Sequence, residues 1–168
     1  IVAEPQRAST RAVSIAAAPE TVWQWVVQIG HGRGGLYSYD WAEDLVGCDL
    51  HSAEEILPEH QALHRGDLVR MGPEGYPTFS VAEVAPPHHL VLVSADTHTG
   101  RPTSDDQPPV ATTWQWVLSA AGTGTRLVSR QRLTYPAGQT AMWSVVQPLA
   151  FVMERKMLLG IKQRAERT

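Results

Sequence analysis

The chain has 168 residues, of which 43% are hydrophobic and 18% charged, and its formal net charge is −3. These values are typical of a globular protein with a sizeable core, so we expect a single domain over residues 1–168. The small net charge offers no basic surface to nucleic acid or an anionic membrane, and no apolar run reaches the roughly 20 residues of a membrane span.

The sequence does not determine the cellular compartment or the oligomeric state. Cys48 is the single cysteine, so no internal disulfide can form. We expect a cytoplasmic protein. The chain begins at Ile1 without a methionine, which leaves open a signal or anchor before it.

The first third of the chain predicts one strand and two short helices. Residues 1–9 are a polar lead-in, and the alternation over residues 11–16 indicates a half-buried strand. Pro19 begins a helix that is apolar on nearly every side, and Gly30 ends it. A second short helix is predicted over about residues 40–46.

The middle of the chain has the period of strands. Ser52–Glu55 reads as a capping box for a brief helical turn that Pro58 limits. Residues 97–109 contain three prolines and predict a long flexible loop. Turn residues separate the predicted strands, which cover residues 68–71, 78–84, 90–94, 112–118 and 125–135.

The last element is an amphipathic helix over residues 148–166. Ala150, Met153, Met157 and Ile161 recur at steps of three and four, and Pro148 suits a first helical turn. The order of elements predicts an α+β fold in which a curved antiparallel sheet wraps around this helix. A bent sheet and a straight helix leave a gap between them, where a binding site would lie.

Four motifs stand in this order along the chain: Ala18-Pro19-Glu20, Gly32-Arg33-Gly34-Gly35-Leu36-Tyr37, Thr113-Trp114-Gln115-Trp116 and Met153-Glu154-Arg155-Lys156. Together they resemble the START-like (SRPBCC, helix-grip) superfamily, and most closely its bacterial polyketide cyclase/dehydrase and lipid-transport-like branch. The resemblance covers about residues 11–166. It implies a helix-grip fold with an internal cavity for an apolar ligand, but carriers, receptors, cyclases and hydrolase-like proteins share that scaffold.

A glycine-rich loop carries the first candidate site residues. Arg33, Tyr37, Tyr39, Asp40 and Trp41 offer a guanidinium, two phenols, a carboxylate and an indole near the expected cavity mouth. They could clamp the polar head of a ligand. Alternatively, Arg33 pairs with Asp40 and the aromatic rings only pack.

The predicted hairpin carries the second set. Trp114 and Trp116 share one face of a strand, and Arg130 and Arg132 share one face of its partner. In one register the arginines stack on the indoles, and Arg130 meets a ligand carboxylate. A shift of one residue sends them to opposite faces. We expect the tryptophans to face inward and leave the register open.

Four apolar side chains complete the expected lining. Met71, Phe79, Met153 and Met157 fit either an ordinary core or a tolerant apolar pocket, because methionine adapts to varied shapes.

Histidine and cysteine spacing raises the question of a metal. Cys48, His51, His60 and His64 have usable spacing, but turn-forming residues flank them and no glutamate stands where a zinc protease needs one. We expect no metal and no other cofactor.

Three interpretations follow, in order of preference. The first is a protein that binds a small apolar or amphipathic molecule. The second is a polyketide cyclase-like enzyme in which a residue such as His31, Arg33, Tyr39 or Asp40 acts on an apolar substrate in the same cavity. The third is an interaction domain whose cavity is filled by its own side chains.

Overall fold

The computed structural model describes residues 2–39, 51–101 and 111–168. The second short helix predicted near residue 40 lies outside these ranges. The described elements are β1 (Arg7–Ile15), α1 (Pro19–Val27), a 3₁₀ turn (Pro58–His60), β2 (Leu68–Arg70), β3 (Thr78–Ala85), β4 (His89–Ala95), β5 (Ala111–Ala121), β6 (Gly124–Thr134), a 3₁₀ turn (Ala137–Gln139) and α2 (Thr140–Ala165).

The strands form one antiparallel sheet of six strands in the order β1-β6-β5-β4-β3-β2. The sheet curves around α2, so the predicted α+β helix-grip fold is confirmed. Predicted and observed strand bounds agree within a few residues, because hydrophobic alternation and turn residues specify these strands locally.

One end of the grip is a solid core. There α1 and the C-terminal half of α2 pack on the sheet through Val26, Trp116, Leu127, Met157 and Ile161, all of them buried. The apolar stripe of α2 was predicted, and its buried part begins at Met157. Each fully buried aliphatic side chain contributes about 1.5–3 kcal/mol to the free energy of unfolding.

The first strand begins earlier than predicted. Arg7, Ala8, Ser9 and Thr10 were assigned to the polar lead-in, but they pair in register with β6 from Leu133 back to Arg130. Their polarity concealed the strand, because one face of β1 turns polar side chains toward α2.

The final helix also begins earlier, at Thr140, so Pro148 lies inside it. An interior proline removes one helical hydrogen bond, here to the carbonyl of Ser144. Ser144 is exposed, so water can reach that carbonyl. The first turn is held by tertiary contacts: Trp143 stacks on Tyr135 at 5.5 Å, and Arg7 donates a hydrogen bond to Ser144. In the described parts of the chain, no helix combines the length and the apolarity needed to cross a membrane.

The predicted capping box at Ser52–Glu55 is wrong. These residues are irregular and begin no helix, and the neighbouring Glu54 carboxylate pairs with the guanidinium of Arg164 on α2. The helical turn begins only at Pro58.

Candidate functional site

A cavity of about 650 Å³ lies between the N-terminal half of α2 and the end of the sheet where β1, β3 and β5 begin. Gly75, Pro77 and Asp96 on its rim are exposed, so the cavity opens to solvent there. Its volume is within the range of about 300–1,000 Å³ that ligand pockets usually have. The lining comprises Arg7, Ala8, Ser9, Met71, Gly75, Pro77, Thr78, Phe79, Ser94, Ala95, Asp96, Thr97, Thr112, Trp114, Gln131, Leu133, Trp143, Gln147 and Ala150.

Aromatic rings dominate the apolar part of this lining. The ring centroids of Phe79 and Trp114 are 6.0 Å apart, and their planes are tilted by 60°. Trp143 reaches the cavity from α2 and stacks on Tyr135. With Met71 and Leu133 they form a surface that suits a flat or elongated apolar molecule.

The lining also has a polar strip, contributed by β1, β6 and α2. Arg7 and Ser9 come from β1, Gln131 from β6 and Gln147 from α2. The Arg7 Nε donates to the Tyr135 hydroxyl at 2.9 Å, and its Nη2 donates to Ser144 Oγ at 3.2 Å. The cavity is therefore amphipathic, with one charged group in its polar strip.

A buried polar network separates the cavity from the solid core. The indole Nε1 of Trp114 donates to Ser129 Oγ at 3.0 Å, and Ser129 donates to Glu154 Oε1 at 2.6 Å. The other carboxylate oxygen of Glu154 pairs with Arg11, which also donates to Ser9 Oγ. Burial raises the pKa of the Glu154 carboxyl, and the bonds from Ser129 and Arg11 only partly offset this effect.

Three of the predicted lining residues border the cavity: Met71, Phe79 and Trp114. Trp116 is fully buried on the core side, with its ring centroid 4.2 Å from that of Trp114. Met157 belongs to the solid core.

Met153 lies against the loop after α1 instead of the cavity. Its carbonyl accepts a hydrogen bond from Ser38 Oγ at 3.2 Å. The prediction that Met153 and Met157 line the cavity is therefore not met. The helix begins two turns earlier than predicted, and its residues Trp143, Gln147 and Ala150 lie over the gap instead.

The described residues of the glycine-rich loop, Arg33, Tyr37 and Tyr39, do not border the cavity. Arg33 Nη2 donates to the carbonyls of Val27 and His60 at 3.0 and 2.9 Å, so this guanidinium ties two backbone segments together. Burial lowers the pKa of Arg33, while Asp67 and Tyr37 act in the opposite direction. These contacts give Arg33 a structural role through backbone carbonyls, whereas its predicted pairing with Asp40 involves a residue outside the described ranges.

The tyrosines of that loop also lie elsewhere. Tyr37 is buried, its hydroxyl donates to the Trp25 carbonyl at 3.0 Å, and burial raises its pKa. Tyr39 lies under the ammonium of Lys156, 5.5 Å from the ring centroid. Trp41 and Asp40 fall outside the described residues.

The hairpin register answers the question that the sequence left open. Trp114 pairs with Gln131, and Trp116 pairs with Ser129, so both indoles share the inner face with these polar partners. Arg130 pairs with Gln115 on the opposite face and is exposed. In this register Arg130 lies on the face opposite the indoles, so the alternative in which it stacks on them and reaches the cavity does not hold.

A second, polar cleft lies beside Tyr37. It is bordered by Glu54, Lys156 and Arg164, and the carboxylate of Glu54 pairs with both Arg164 and Arg167. Arg164 also lies over the Tyr37 ring at 5.1 Å and donates to the Ala53 carbonyl. These contacts hold the loop on α2.

The histidines considered as metal ligands take part in separate contacts. The carbonyl of His60 accepts from Arg33, and the ring of His64 lies 3.6 Å from the carboxylate of Asp67. Among the residues that the structure describes, no three His, Cys, Asp or Glu side chains form a metal-binding group. Cys48 lies outside those residues.

Sequence reasoning missed the polar strip and the buried network. Arg7 and Ser9 were placed in the lead-in, Trp143 was left outside the predicted lining, and Glu154 had no predicted role. One signal was available: residues 7–12 alternate between polar and small side chains, which is a strand period with a polar inner face.

Comparisons with known proteins inform the fold only. No protein-family model matches the sequence, and no curated protein matches it significantly. Protein NE0264 from Nitrosomonas europaea is similar in structure, with a TM-score of 0.59, 13% identity and coverage of 95% of this chain and 94% of that chain.

Two further solved structures are similar. Protein MLL2253 from Mesorhizobium loti has a TM-score of 0.56 and 17% identity over 96% of this chain and 98% of that chain. DynU16, a protein of the dynemicin biosynthetic locus, has a TM-score of 0.50 and 15% identity, covering 92% of this chain and 46% of that chain. These neighbours share the fold of this chain, and a shared fold by itself selects no function.

Proposed function

We propose that this protein binds a small apolar or amphipathic molecule in the cavity between the sheet and α2. The observation that carries the proposal is the cavity itself: about 650 Å³, open at one rim and bordered by Phe79, Trp114 and Trp143. A space this large argues against the interpretation in which the protein's own side chains fill the gap. Met71, Phe79 and Trp114 remain ligand-binding residues in this proposal.

The same cavity is compatible with the polyketide cyclase and lipid-transport-like branch that the sequence resembles. One observation favours a cyclase-like enzyme as a second candidate, namely the buried carboxyl of Glu154 with its raised pKa. Glu154 does not border the cavity, however, and is connected to it through Ser129 and Trp114. A group that cannot touch the substrate is poorly placed to transfer its proton, so we propose binding first.

The proposal can be tested by titrating the protein with 1-pyrenebutanol, a neutral molecule with a flat apolar body. Two cavity tryptophans should transfer excitation to a bound pyrene, so indole emission should fall and pyrene emission should rise until about one probe is bound per chain. Native mass spectrometry of protein from its own source would show whether a natural molecule remains bound. Absence of saturable binding across a panel of apolar probes would contradict the proposal.

A further inference from the structure

Two arginines project from the same face of β1, and they have different surroundings. Arg7 and Arg11 are four residues apart, so the strand period of two places both on the inner face, opposite Leu133 and Ser129 of β6. Arg11 is paired with the buried carboxylate of Glu154. Arg7 contacts only neutral oxygens, the hydroxyls of Tyr135 and Ser144, and forms no ion pair within the described residues.

The surroundings of Arg7 give this difference in charge pairing a physical consequence. Arg7 is half-buried and borders the cavity near Leu133 and Trp143. A cation beside apolar surface loses hydration, and in protein interiors such a charge is usually balanced by an opposite one. The side chain nevertheless has the N–H groups that Tyr135 and Ser144 do not use, and a guanidinium can hold both oxygens of a carboxylate at once.

Among the described lining residues, the other charged one is Asp96, on β4's side of the cavity. Asp96 is exposed on the rim, and its carboxylate accepts the backbone N–H groups of His98 and Thr99. Asp96 is therefore engaged in its own loop. Arg7 is the cation of the polar strip, with the amides of Gln131 and Gln147 also bordering the cavity.

We propose that Arg7 binds the carboxylate of an amphipathic organic acid whose apolar body lies against Phe79, Trp114 and Trp143. The inference rests on the proposed function and narrows it from apolar molecules in general to monocarboxylic acids. The anion supplies the charge that the described residues do not place beside Arg7, and the rings supply apolar contact for the rest of the ligand.

The test compares two probes that differ at one group, 1-pyrenebutyric acid and 1-pyrenebutanol, by pyrene fluorescence anisotropy at neutral pH. We expect wild-type protein to bind the acid more tightly than the alcohol. Arg7→Gln should weaken binding of the acid by about ten- to a hundredfold, the usual effect of losing a charged hydrogen bond, and leave the alcohol within about twofold.

Two variants separate charge recognition from a structural role of Arg7. Arg130→Gln removes the same charge from the outer face of the sheet and should change neither affinity. Tyr135→Phe removes one hydrogen bond of Arg7 but keeps its charge, so the preference for the acid should persist. Equal affinity of the wild type for both probes, or equal loss of both in Arg7→Gln, would overturn the inference while leaving the proposed function intact. Failure of wild-type protein to bind either probe would overturn both.

Discussion

Gly160 of α2 touches the backbone of Tyr37. A Cβ atom at Gly160 would lie 2.3 Å from the Tyr37 carbonyl oxygen and 2.9 Å from its Cβ, far inside contact distance. Tyr37 itself has a φ of 54°, which is uncommon for a residue other than glycine. The loop after α1 is thus pressed onto the final helix at a point where only a hydrogen fits.

We therefore expect Gly160→Ala to destabilise the protein by about 1–3 kcal/mol, because the clash is with backbone and either the loop or the helix must move. In most helices the same change is stabilising. Gly138, in the turn before α2, has open space where its Cβ would be, so Gly138→Ala is the matched control and should be nearly neutral. Urea denaturation measures both. A Gly160→Ala protein as stable as wild type would contradict the close approach.

The hydroxyl of Ser129 links an indole to a carboxylate, and removing it should lower the free energy of unfolding. Ser129→Ala leaves the Nε1 of Trp114 and one oxygen of Glu154 without their partners. A buried polar group left unpaired costs about 1–3 kcal/mol, so the free energy of unfolding should fall by at least that amount. Ser119→Ala on the exposed part of β5 should change it by less than about 0.5 kcal/mol. Similar values for the two variants would show that the network contributes no stability.

The raised pKa of Glu154 predicts how stability depends on pH. Its ordinary value is 4.5, and burial raises it in the folded protein. The folded state therefore holds this proton more tightly than the unfolded chain. The resulting stabilisation is fully present below about pH 4.5 and is lost as pH rises through the folded pKa.

Glu154→Gln should remove that pH dependence. Denaturation curves from about pH 4 to about pH 8 should show wild-type stability declining relative to the variant as pH increases. The offset at any single pH also includes the lost pair with Arg11, so the slope is the quantity to compare. Glu59→Gln, at an exposed position, controls for net charge. A parallel pH profile in wild type and Glu154→Gln would contradict the raised pKa.

Arg33→Ala tests the corrected role of the glycine-rich loop. Because Arg33 ties the carbonyls of Val27 and His60 together, the variant should lose about 1–3 kcal/mol of stability. It should retain the wild-type preference between 1-pyrenebutyric acid and 1-pyrenebutanol. A selective loss of the acid in this variant would restore Arg33 as a head-group clamp.

The sequence predicted the fold well because the relevant signals are local. Alternation and turn residues located β2 to β6, and Pro19 located α1. It placed α2 less well, since the contacts of Trp143 with Tyr135 and of Ser144 with Arg7 override the local preference of Pro148 for a helix start.

The site was predicted only in part, because its polar half is made by tertiary pairing. Ser129 and Gln131 face inward although their polarity suggests a solvent face, and that is why the register of Arg130 could not be read from the chain. One partner of Arg33 is also distant in sequence: the carbonyl of His60, which accepts its hydrogen bond, lies 27 residues after Arg33. Phe79 and Trp114 were recognised because they are apolar side chains on inner strand positions, and Met71 because it directly follows β2.

The central claim is that the cavity under α2 is a ligand site, and filling it tests that claim most directly. Ala150 borders the cavity, whereas its neighbour Leu149 points away and is 63% exposed. We predict that Ala150→Phe weakens 1-pyrenebutanol binding at least about tenfold, with a loss of stability below about 1.5 kcal/mol because the space is free. Leu149→Phe should bind like wild type. Equal probe affinity in Ala150→Phe, Leu149→Phe and wild-type protein, measured by pyrene anisotropy, would contradict the account.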